Sequence, residues 1–479
     1  MGETSRTMNR MDQVVGRSSR YSSGPSRSRR DFLSALFNAL DRNRVRYCVL
    51  HSWEGLPDEL PSDLDLGVHP SDIQKLPCVF RALCAKGYRP VQCFNYFVNA
   101  FYFVFLWFEG LRPKFVAVDI IFEHRRSGLI VPSGEALVAR RVKQGIFWIP
   151  DPEAEFGYLL AKKTWKGVAS FRQVQRLKLL VEKLGRPRAE EIAHELFREN
   201  WKRKVVETCA SGCVGETLGK IRIQPWLTSL TRNPMKLVLY LIDEGLRRIR
   251  RWFQPTGLFV AILGPDGVGK STIAEQLVQL WGTSFRRHRI FHWRPGLIGR
   301  MRDPGRPVAE PHAKPVRGTL KSVAHLIAFF LDYWLGFFLV VRPMLARSTL
   351  IIFDRYFHDV LVDPQRYRYG GPMWLTRLLV FCVPAPDLIL VLDAREEVIL
   401  SRKCEVPSTE VRRQRESYRQ LARYCDTTRL VKTNQDLEKT LAETSEIIMD
   451  YLVQRFRRRH TSWLADSSTA ESQIEKNIN

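Results

Sequence analysis

The sequence of 479 residues is long enough for two or three domains, and its 45% hydrophobic and 26% charged residues are typical of globular proteins. Its 75 Lys and Arg against 50 Asp and Glu give a formal charge of +25, which suits anionic partners, but much of the excess lies in terminal and connecting segments, so nucleic acid is not an expected partner. The nine cysteines form no CxxC pair and have no zinc-ligand spacing, which indicates buried thiols in a reducing, cytoplasmic compartment.

Residues 1–30 are rich in Ser, Arg and Gly and nearly lack apolar side chains. Because the stretch has no apolar h-region, it is not a secretory signal, and its composition predicts a disordered basic arm. Order is expected to begin at Asp31, a suitable N-cap for a helix over residues 32–41, whose apolar side chains recur with helical spacing.

Three acidic residues fall on two predicted strands. Alternation over residues 62–68 places Asp63 and Asp65 on one strand face, and Asp119 lies inside the apolar strand 115–122. Neighbouring carboxylates repel each other unless a cation lies between them, and Mg²⁺ prefers oxygen ligands. We therefore predict that these three acids bind a metal, and that Asn at positions 63 and 65 stabilises the metal-free domain. An ordinary polar loop with one satisfied core aspartate is the alternative.

This arrangement resembles the nucleotidyltransferase superfamily, whose motif is a small-residue turn after a strand, then D-x-D, then a third carboxylate on a neighbouring strand. The resemblance implies a small α+β domain over residues 31–200, completed by helices after residue 150. The family usually has Gly-Gly or Gly-Ser where this chain has His51-Ser52. Whether the domain is active or degenerate therefore stays open.

Residues 201–255 predict a helical connector. Within it, residues 234–252 form an amphipathic pattern whose apolar positions face away from a run of arginines. Such a helix suits either a membrane surface or docking between the two domains, and docking is the commoner arrangement.

A phosphate-binding loop follows the connector. Residues 258–263 have strand composition, Gly264–Thr272 fit the pattern G-x-x-x-x-G-K-[ST], and residues 273–280 have helical spacing. Glycines let the backbone N–H groups point inward at a helix N-terminus, Lys270 suits the β- and γ-phosphates, and the Ser271 hydroxyl suits Mg²⁺. The predicted nucleotide-binding residues are Gly264, Asp266, Gly267, Val268, Gly269, Lys270, Ser271 and Thr272.

The remaining chain predicts further buried strands at residues 290–293, 350–353 and 387–393. The second of these ends in Asp354 and Arg355, which suit a Mg²⁺ ligand and a phosphate clamp. Residues 301–317 predict a mobile loop. The apolar run 323–341 fits either a membrane span or a helix covering the sheet, and the following strand favours the helix. An Arg-rich helical segment at 395–423, a short strand at 430–434, a helix at 437–456 and a disordered tail at 458–479 complete the prediction.

Residues 258–456 resemble the thymidylate kinase-like P-loop kinases. The resemblance is carried by the loop with Asp266 at its acidic position, by Arg294-Pro295-Gly296, by Asp354-Arg355-Tyr356, and by the P-D-L strand that starts at Pro386. It implies a P-loop NTPase-type α/β domain over residues 256–457, with a parallel sheet, flanking helices, ATP and Mg²⁺. It also implies lid arginines, for which the candidates are Arg402, Arg412, Arg413 and Arg415. A transferase-like domain joined to such a kinase resembles bacterial proteins associated with surface-polysaccharide synthesis.

The expected function is a cytoplasmic ATP-dependent phosphotransferase. Its predicted catalytic residues are Asp266, Lys270, Asp354, Arg355 and Arg402, with Ser271 and Asp354 as the metal ligands of this domain. Residues 357–368 depart from the thymidylate-binding pattern of the family and supply acids and arginines instead. We therefore expect a polyhydroxylated acceptor such as a sugar or sugar phosphate, with Asp359 or Asp266 orienting its hydroxyl and Arg366 serving a phosphate.

Several alternatives stay open at this stage. The chain suits a thymidylate or other nucleoside monophosphate kinase, a polynucleotide 5′-kinase, or a nucleotide-gated regulatory protein at a membrane or on nucleic acid. A homodimer and peripheral contact with the inner face of a membrane are compatible with each of them.

Overall fold

The structure is a computed structural model that describes residues 27–60, 63–97, 99–123, 125–212, 214–297, 315–402, 407–424 and 426–464. Most of the basic arm, most of the loop predicted at 301–317 and most of the predicted tail therefore lie outside the described residues. The chain forms two compact units. The C-terminal unit comprises Arg250–Leu452 with Phe108–Lys114, and the N-terminal unit comprises Arg27–Trp107, Phe115–Ile249 and the described residues from Val453 on.

The N-terminal unit contains a five-stranded sheet in the order β1-β2-β5-β4-β3. The strands β1 and β2 are antiparallel, whereas β2 and β5 are parallel with Asp65 opposite Asp119. The elements are α1 (Arg29–Arg42), β1 (Tyr47–Val49), β2 (Leu64–Val68), α2 (Leu76–Ala85), β3 (Arg89–Phe97), β4 (Ala100–Glu109) and β5 (Arg112–Ile121). The sequence analysis did not identify β3 or β4.

Helix α1 begins three residues earlier than expected. Its N-cap is Ser28, and Asp31 is the third helical residue, whose carboxylate accepts from the Ser28 N–H at 2.8 Å. The predicted N-cap at Asp31 is therefore wrong, because Ser28 and Asp31 together form a capping box. Phe32 then enters an aromatic core, where its ring is stacked on Trp107 at 5.7 Å.

The C-terminal residues Phe456 and Trp463 are buried in this same aromatic core. The Trp463 ring lies 5.2 Å from the rings of Phe101 and Phe103. The predicted disordered tail starts too early at residue 458, because the helix α18 (Leu437–Arg459) and a 3₁₀ turn (Thr461–Trp463) continue past that point.

A helical layer extends the N-terminal unit. Small elements lead into it: β6 (Arg125–Arg126), β7 (Leu129–Ile130), α3 (Gly134–Ala139), β8 (Val142–Gln144) and β9 (Phe147–Ile149). The helices are α4 (Pro152–Lys166), α5 (Phe171–Leu184), α6 (Arg186–His194), α7 (Glu199–Ser211), α8 (Val214–Ile221), α9 (Gln224–Arg232) and α10 (Pro234–Phe253). One hydrophobic cluster joins Leu160 and Leu177 to Val205 and Leu218, so the expected boundary at residue 200 falls inside it.

The C-terminal unit contains a parallel five-stranded sheet in the order β11-β12-β10-β13-β14. Its strands are β10 (Leu258–Leu263), β11 (Arg287–His292), β12 (Thr349–Asp354), β13 (Leu388–Asp393) and β14 (Thr428–Lys432). Its helices besides α18 are α11 (Lys270–Trp281), α12 (Thr319–Gly336), α13 (Arg342–Ala346), α14 (Asp359–Val362), α15 (Met373–Cys382), α16 (Glu396–Arg402) and α17 (Ser408–Tyr424). Since β10 and β13 are buried along their whole length, they read as continuous apolar runs.

The helix α12 runs through a π turn (Phe337–Val341) into α13. This segment, Thr319–Ala346, is long and apolar enough to cross a membrane by length and composition, and only 22% of its most apolar window is buried. Leu326, Tyr333 and Leu345 lie in the core of the C-terminal unit, so one side of the helix covers the sheet as expected. The other side is exposed.

We expect Trp463→Ala to destabilise the N-terminal unit by about 3 kcal/mol, because it removes a buried ring from a packed aromatic core. Hydrogen exchange of the amides of α1 and β4 in the full chain measures this, and those of β10 serve as an internal reference. Trp374→Ala is the matched control, since the Trp374 side chain is 65% exposed. Unchanged exchange in α1 and β4 of Trp463→Ala would contradict the assignment of residues 458–464 to this core.

Candidate functional site

The phosphate-loop pattern forms the expected strand-loop-helix. Gly264, Gly267 and Gly269 all have positive φ, which side chains with a Cβ rarely adopt. At Gly264 a Cβ would also lie 2.7 Å from the carbonyl oxygen of Leu392 in β13. Gly269 is the N-cap of α11, so the helix begins at Lys270 with free N–H groups near the loop. This backbone suits an anion.

Lys270 lies inside the loop with a side chain that is 6% exposed. Its Nζ donates to the carbonyl oxygens of Gly264 and Pro265 at 2.9 and 2.8 Å and lies 3.4 Å from Asp266 Oδ1. Burial, with the nearby Arg355 cation, lowers the pKa of Lys270 to about 8. The ammonium is therefore poorly solvated, and a phosphate would supply the negative charge that it lacks.

Ser271 and Asp354 meet at the carboxyl edge of the sheet. The Ser271 Oγ donates to Asp354 Oδ2 at 2.6 Å. Parallel pairing of β10 with β12 sets Ile262 opposite Asp354, which brings the acid beside the loop. Both donors are hard oxygens of the kind that Mg²⁺ prefers, so the predicted pair fits this ion together with phosphate oxygens. His292, which the sequence analysis did not select, has its Nδ1 3.7 Å from Asp354 Oδ2.

Asp266 is the centre of a charge cluster. Its carboxylate accepts hydrogen bonds from both Arg355 and Arg366, and Lys270 is its third cationic neighbour. Although burial would raise the pKa of Asp266, the charges of Lys270, Arg355 and Arg366 hold it well below its usual range. Arg355 itself adopts φ +80°, in the left-handed region. The sequence-predicted residues Asp266, Lys270, Asp354 and Arg355 are thus brought together.

Asp359 does not face an acceptor. It is fully buried, and its carboxylate accepts from Arg355 Nη1 at 3.0 Å and from the Tyr418 hydroxyl at 2.9 Å. Burial raises the pKa of Asp359 despite the adjacent Arg355. The expectation that this acid orients an acceptor hydroxyl is therefore wrong, because both of its oxygens hold neighbouring side chains. Asp359 is a positioning residue for Arg355.

Arg294-Pro295-Gly296 is fixed to helix α12. Asp332 is fully buried, accepts from the Gly296 N–H at 3.0 Å, and has its Oδ2 3.6 Å from Arg294. Pro295 lies so close to Gly336 that a Cβ there would be 2.3 Å from it. The polar residue that interrupts the apolar run of α12 is thus the anchor of this loop.

The four lid candidates have different positions. Arg402 is exposed at the end of α16, and Arg412 pairs with Glu396 at 3.2 Å. Arg413 pairs with Glu410, whereas Arg415 donates to Asp393 at 2.9 Å, at the carboxyl edge of β13. Of the four, only Arg415 is held at this edge of the sheet among the contacts described.

The sequence analysis missed Tyr418 and Arg419, which hold Asp359 and Asp393 from the inner face of α17. The signal for them was present. Val411, Gln414 and Tyr418 recur with helical spacing and are buried, so the Arg-rich segment has an inner face as well as a charged one.

The N-terminal acids have a different environment from the one expected. Asp65 is buried, its Oδ1 accepts from Lys162 Nζ at 2.9 Å, and its Oδ2 lies 2.7 Å from His51 Nε2. Burial would raise the pKa of Asp65, but the charges of Lys162 and His51 hold it well below its usual range. Asp119 faces Asp65 across the strand pair, and Asp63 lies just before β2. The charge of Asp65 is thus met by side chains from α4 and from the turn after β1.

The turn after β1 has an unusual backbone. Ser52 adopts φ +56°, which places a non-glycine residue in the left-handed region where the resembled family usually has a glycine-containing turn. Within the described residues, no three His, Cys, Asp or Glu side chains are grouped so that they could hold a metal ion. Metal binding by Asp63, Asp65 and Asp119 stays a prediction, and the structure provides Asp65 with other partners.

No family model matches the sequence. The thymidylate kinase of Xanthomonas campestris pv. campestris (strain B100) is 27% identical over 150 residues, which cover 31% of this chain and 61% of that protein. The thymidylate kinase of Xanthomonas euvesicatoria pv. vesicatoria (strain 85-10) is 28% identical over 170 residues, or 31% of this chain and 62% of that protein. The solved thymidylate kinase of Candida albicans, 19% identical, has a TM-score of 0.31 and covers 40% of this chain and 92% of that one.

The chain therefore spans about three fifths of the length of these curated relatives. The sequence similarity supports a thymidylate kinase-like domain, in agreement with the resemblance drawn from the motifs. At the level of a family it supports a phosphotransferase of the nucleotide-kinase type.

Binding of ATP should weaken as the pH rises above about 8, because a phosphate prefers the charged form of Lys270, whose pKa is about 8 in the free protein. Calorimetry at pH 8.5 in buffers of different ionisation enthalpy should show proton uptake on ATP binding. Lys270→Ala should bind more weakly, remove most ATP turnover and abolish that uptake. Lys439→Ala is the control, since the Lys439 side chain is 64% exposed on α18. Equal proton uptake in wild type and Lys270→Ala would refute the role of this lysine.

Asp65→Asn should destabilise the N-terminal unit, contrary to the expectation from carboxylate repulsion, because it leaves Lys162 buried beside His51 without its anion. Lys162→Met should cost about 3–5 kcal/mol, and the double variant should recover much of that loss. Lys178→Met, whose side chain is 42% exposed, is the control. Denaturant unfolding of the full chain measures the cycle. A stabilising effect of Asp65→Asn would restore the view that the acids repel one another and await a cation.

Proposed function

We propose that this protein transfers the terminal phosphoryl group of ATP to an acceptor that already carries a phosphate, with nucleoside monophosphates as the foremost class. The observation that carries the proposal is the single Asp266 carboxylate held by Lys270, Arg355 and Arg366 beside the Ser271–Asp354 pair. Three cations face one phosphate loop there. The similarity to thymidylate kinases supports the same class of reaction.

In this proposal the loop backbone and Lys270 bind the β- and γ-phosphates of ATP. Ser271 and Asp354 would hold Mg²⁺, which supplies positive charge to the phosphate oxygens. Arg355, fixed from both sides by Asp266 and Asp359, stays directed at the loop without needing to reorganise. Catalysis then consists of positioning and charge neutralisation, which is what phosphoryl transfer requires.

The side chains between 359 and 368 favour an acceptor phosphate over sugar hydroxyls. Asp363 is buried and accepts from the Arg366 N–H at 3.1 Å and from Gln414 at 3.1 Å, so like Asp359 it holds the protein itself. Arg366 has its guanidinium on Asp266 beside the phosphate loop. A planar guanidinium binds a phosphate through two hydrogen bonds. Sugar phosphates share this chemistry and are the second candidate, whereas unphosphorylated sugars lose their support.

For the N-terminal unit we propose a nucleotidyltransferase-like fold without transferase activity. Support comes from the mixed sheet with Asp65 opposite Asp119, and from the Lys162 ammonium that lies where the cation between carboxylates was expected. The association with surface-polysaccharide synthesis stays a prediction from the resemblance.

A screen with γ-labelled ATP tests the acceptor: thymidine monophosphate, other nucleoside monophosphates, sugar phosphates, free sugars and oligonucleotide 5′ ends. Arg366→Ala should raise the KM for the phosphorylated acceptor about 10- to 100-fold, the loss expected for charge-assisted hydrogen bonds, and leave the KM for ATP nearly unchanged. Arg287→Ala is the control, because Arg287 is exposed at the amino end of β11, away from the carboxyl edge of the sheet.

Efficient transfer to free sugars, with no response to Arg366→Ala, would overturn the phosphorylated acceptor and restore the polyhydroxylated one. Slow ATP hydrolysis that ignores every acceptor would instead identify a nucleotide-gated regulatory protein. Transfer confined to oligonucleotide ends would identify a polynucleotide kinase.

A further inference from the structure

One side of helix α12 forms an exposed apolar stripe. Leu320, Ile327, Leu331, Trp334 and Phe338 recur at spacings of seven, four, three and four, so they follow one another along one face. Their exposed fractions range from 40% to 88%. The opposite side packs on the sheet. A helix that only covered a sheet would present polar residues outward, and this one does not.

Helix α15 continues the same surface. Trp374, Leu378 and Phe381 are one helical turn apart and are 65%, 52% and 87% exposed. The two helices are neighbours, because the Trp334 Nε1 donates to the carbonyl oxygen of Cys382 at 2.8 Å. We call these eight side chains of α12, its π turn and α15 the apolar face. Scattered apolar residues need no explanation, but a contiguous set of this size marks an interaction surface.

The charges around the apolar face are of one sign. Helix α15 has no acidic residue, and the only carboxylate between Thr319 and Ala346 is Asp332, which is fully buried. The exposed ionic residues of these helices and of the residue after α13 are Lys321, Arg377 and Arg347. Tryptophans next to aliphatic side chains with a cationic margin are the composition of a helix that lies in the interface of an anionic bilayer.

The end of helix α10 adds to this margin within the C-terminal unit. Arg342, in α13, donates through Nη2 to the carbonyl oxygen of Phe253 at 3.1 Å, so the last turn of α10 lies beside α13. Phe253 is 73% exposed and Arg250 is exposed one turn before it. A second helix end thus supplies an apolar ring and a cation to the same surface.

Two other occupants fit less well. As a membrane span, α12 would have to leave the protein, yet its Tyr333 hydroxyl donates to the carbonyl oxygen of Trp293 and its Asp332 holds Gly296. A second copy of the chain on this face would present its own Lys and Arg margin against the same margin, and like charges across an interface repel. Anionic headgroups complement that margin.

We propose that the apolar face docks the protein on the surface of an anionic lipid bilayer, with α12 and α15 lying in the plane of the interface. The apolar side chains enter the boundary between headgroups and acyl chains, and Lys321, Arg347 and Arg377 contact the anionic headgroups. This assignment uses none of the side chains at the phosphate loop and holds whichever acceptor the site takes.

Co-sedimentation of the full chain with vesicles tests the proposal. At about 0.1 M salt the wild type should bind vesicles that contain one third phosphatidylglycerol at least about tenfold more tightly than vesicles of pure phosphatidylcholine. The triple variant Leu331→Gln/Phe338→Gln/Phe381→Gln should lose about tenfold or more in binding to the anionic vesicles. Leu430→Gln/Leu437→Gln is the control, because these leucines are 39% and 44% exposed on β14 and α18.

ATP turnover without vesicles should be the same in wild type, triple variant and control, which establishes that all three are folded. Lys321→Glu/Arg377→Glu should remove the preference for phosphatidylglycerol and so separate the charge from the apolar contribution. No vesicle binding by the wild type, or binding unchanged in the triple variant, overturns the proposal. A dimer that light scattering detects in the wild type and not in the triple variant assigns the face to a second copy instead.

Discussion

The burial of charge at the carboxyl edge of the parallel sheet is the constraint on which the C-terminal unit depends. Parallel pairing brings the ends of β10, β12 and β13 to one edge, and each strand ends in or leads to a charged residue. Without phosphates, these charges have to neutralise one another. Lys270 therefore turns to backbone carbonyls, Ser271 turns to Asp354, and Asp266 collects two guanidinium groups. The same contacts that stabilise the empty loop must be exchanged when an anion arrives.

The N-terminal unit meets the same difficulty with a different solution. Its β2 and β5 set two aspartates side by side in a buried sheet, and isolated carboxylates in such a place are costly. Lys162 comes from α4, 97 residues after Asp65, and brings a permanent cation to them. An exchangeable ligand in one unit thus has a covalent counterpart in the other. The two sites differ less in their acids than in whether the neutralising cation belongs to the chain.

Local signals were sufficient for the parts of the fold that local sequence determines. The loop glycines, the buried strands β10, β12 and β13, and the length of α5 follow from residue type and periodicity, and all were predicted within a few residues. Strands β3 and β4 were missed because their aromatic runs lack clean alternation, being buried on both faces over much of β4. The Asp65–Lys162 pair and the role of Tyr418 were beyond reach, since contacts across 97 and 59 residues leave no trace in spacing.

The positive φ of Arg355 sets a limit on how this protein can evolve. A non-glycine residue in that conformation carries a strain of about 1 kcal/mol, which a glycine would relieve. Selection for stability alone would therefore drift toward glycine at this position, and the guanidinium that meets Asp266 and Asp359 would be lost with it. A lineage that still keeps arginine here is one in which function has outweighed fold stability. In a lineage relieved of that function, position 355 is where decay should first become visible.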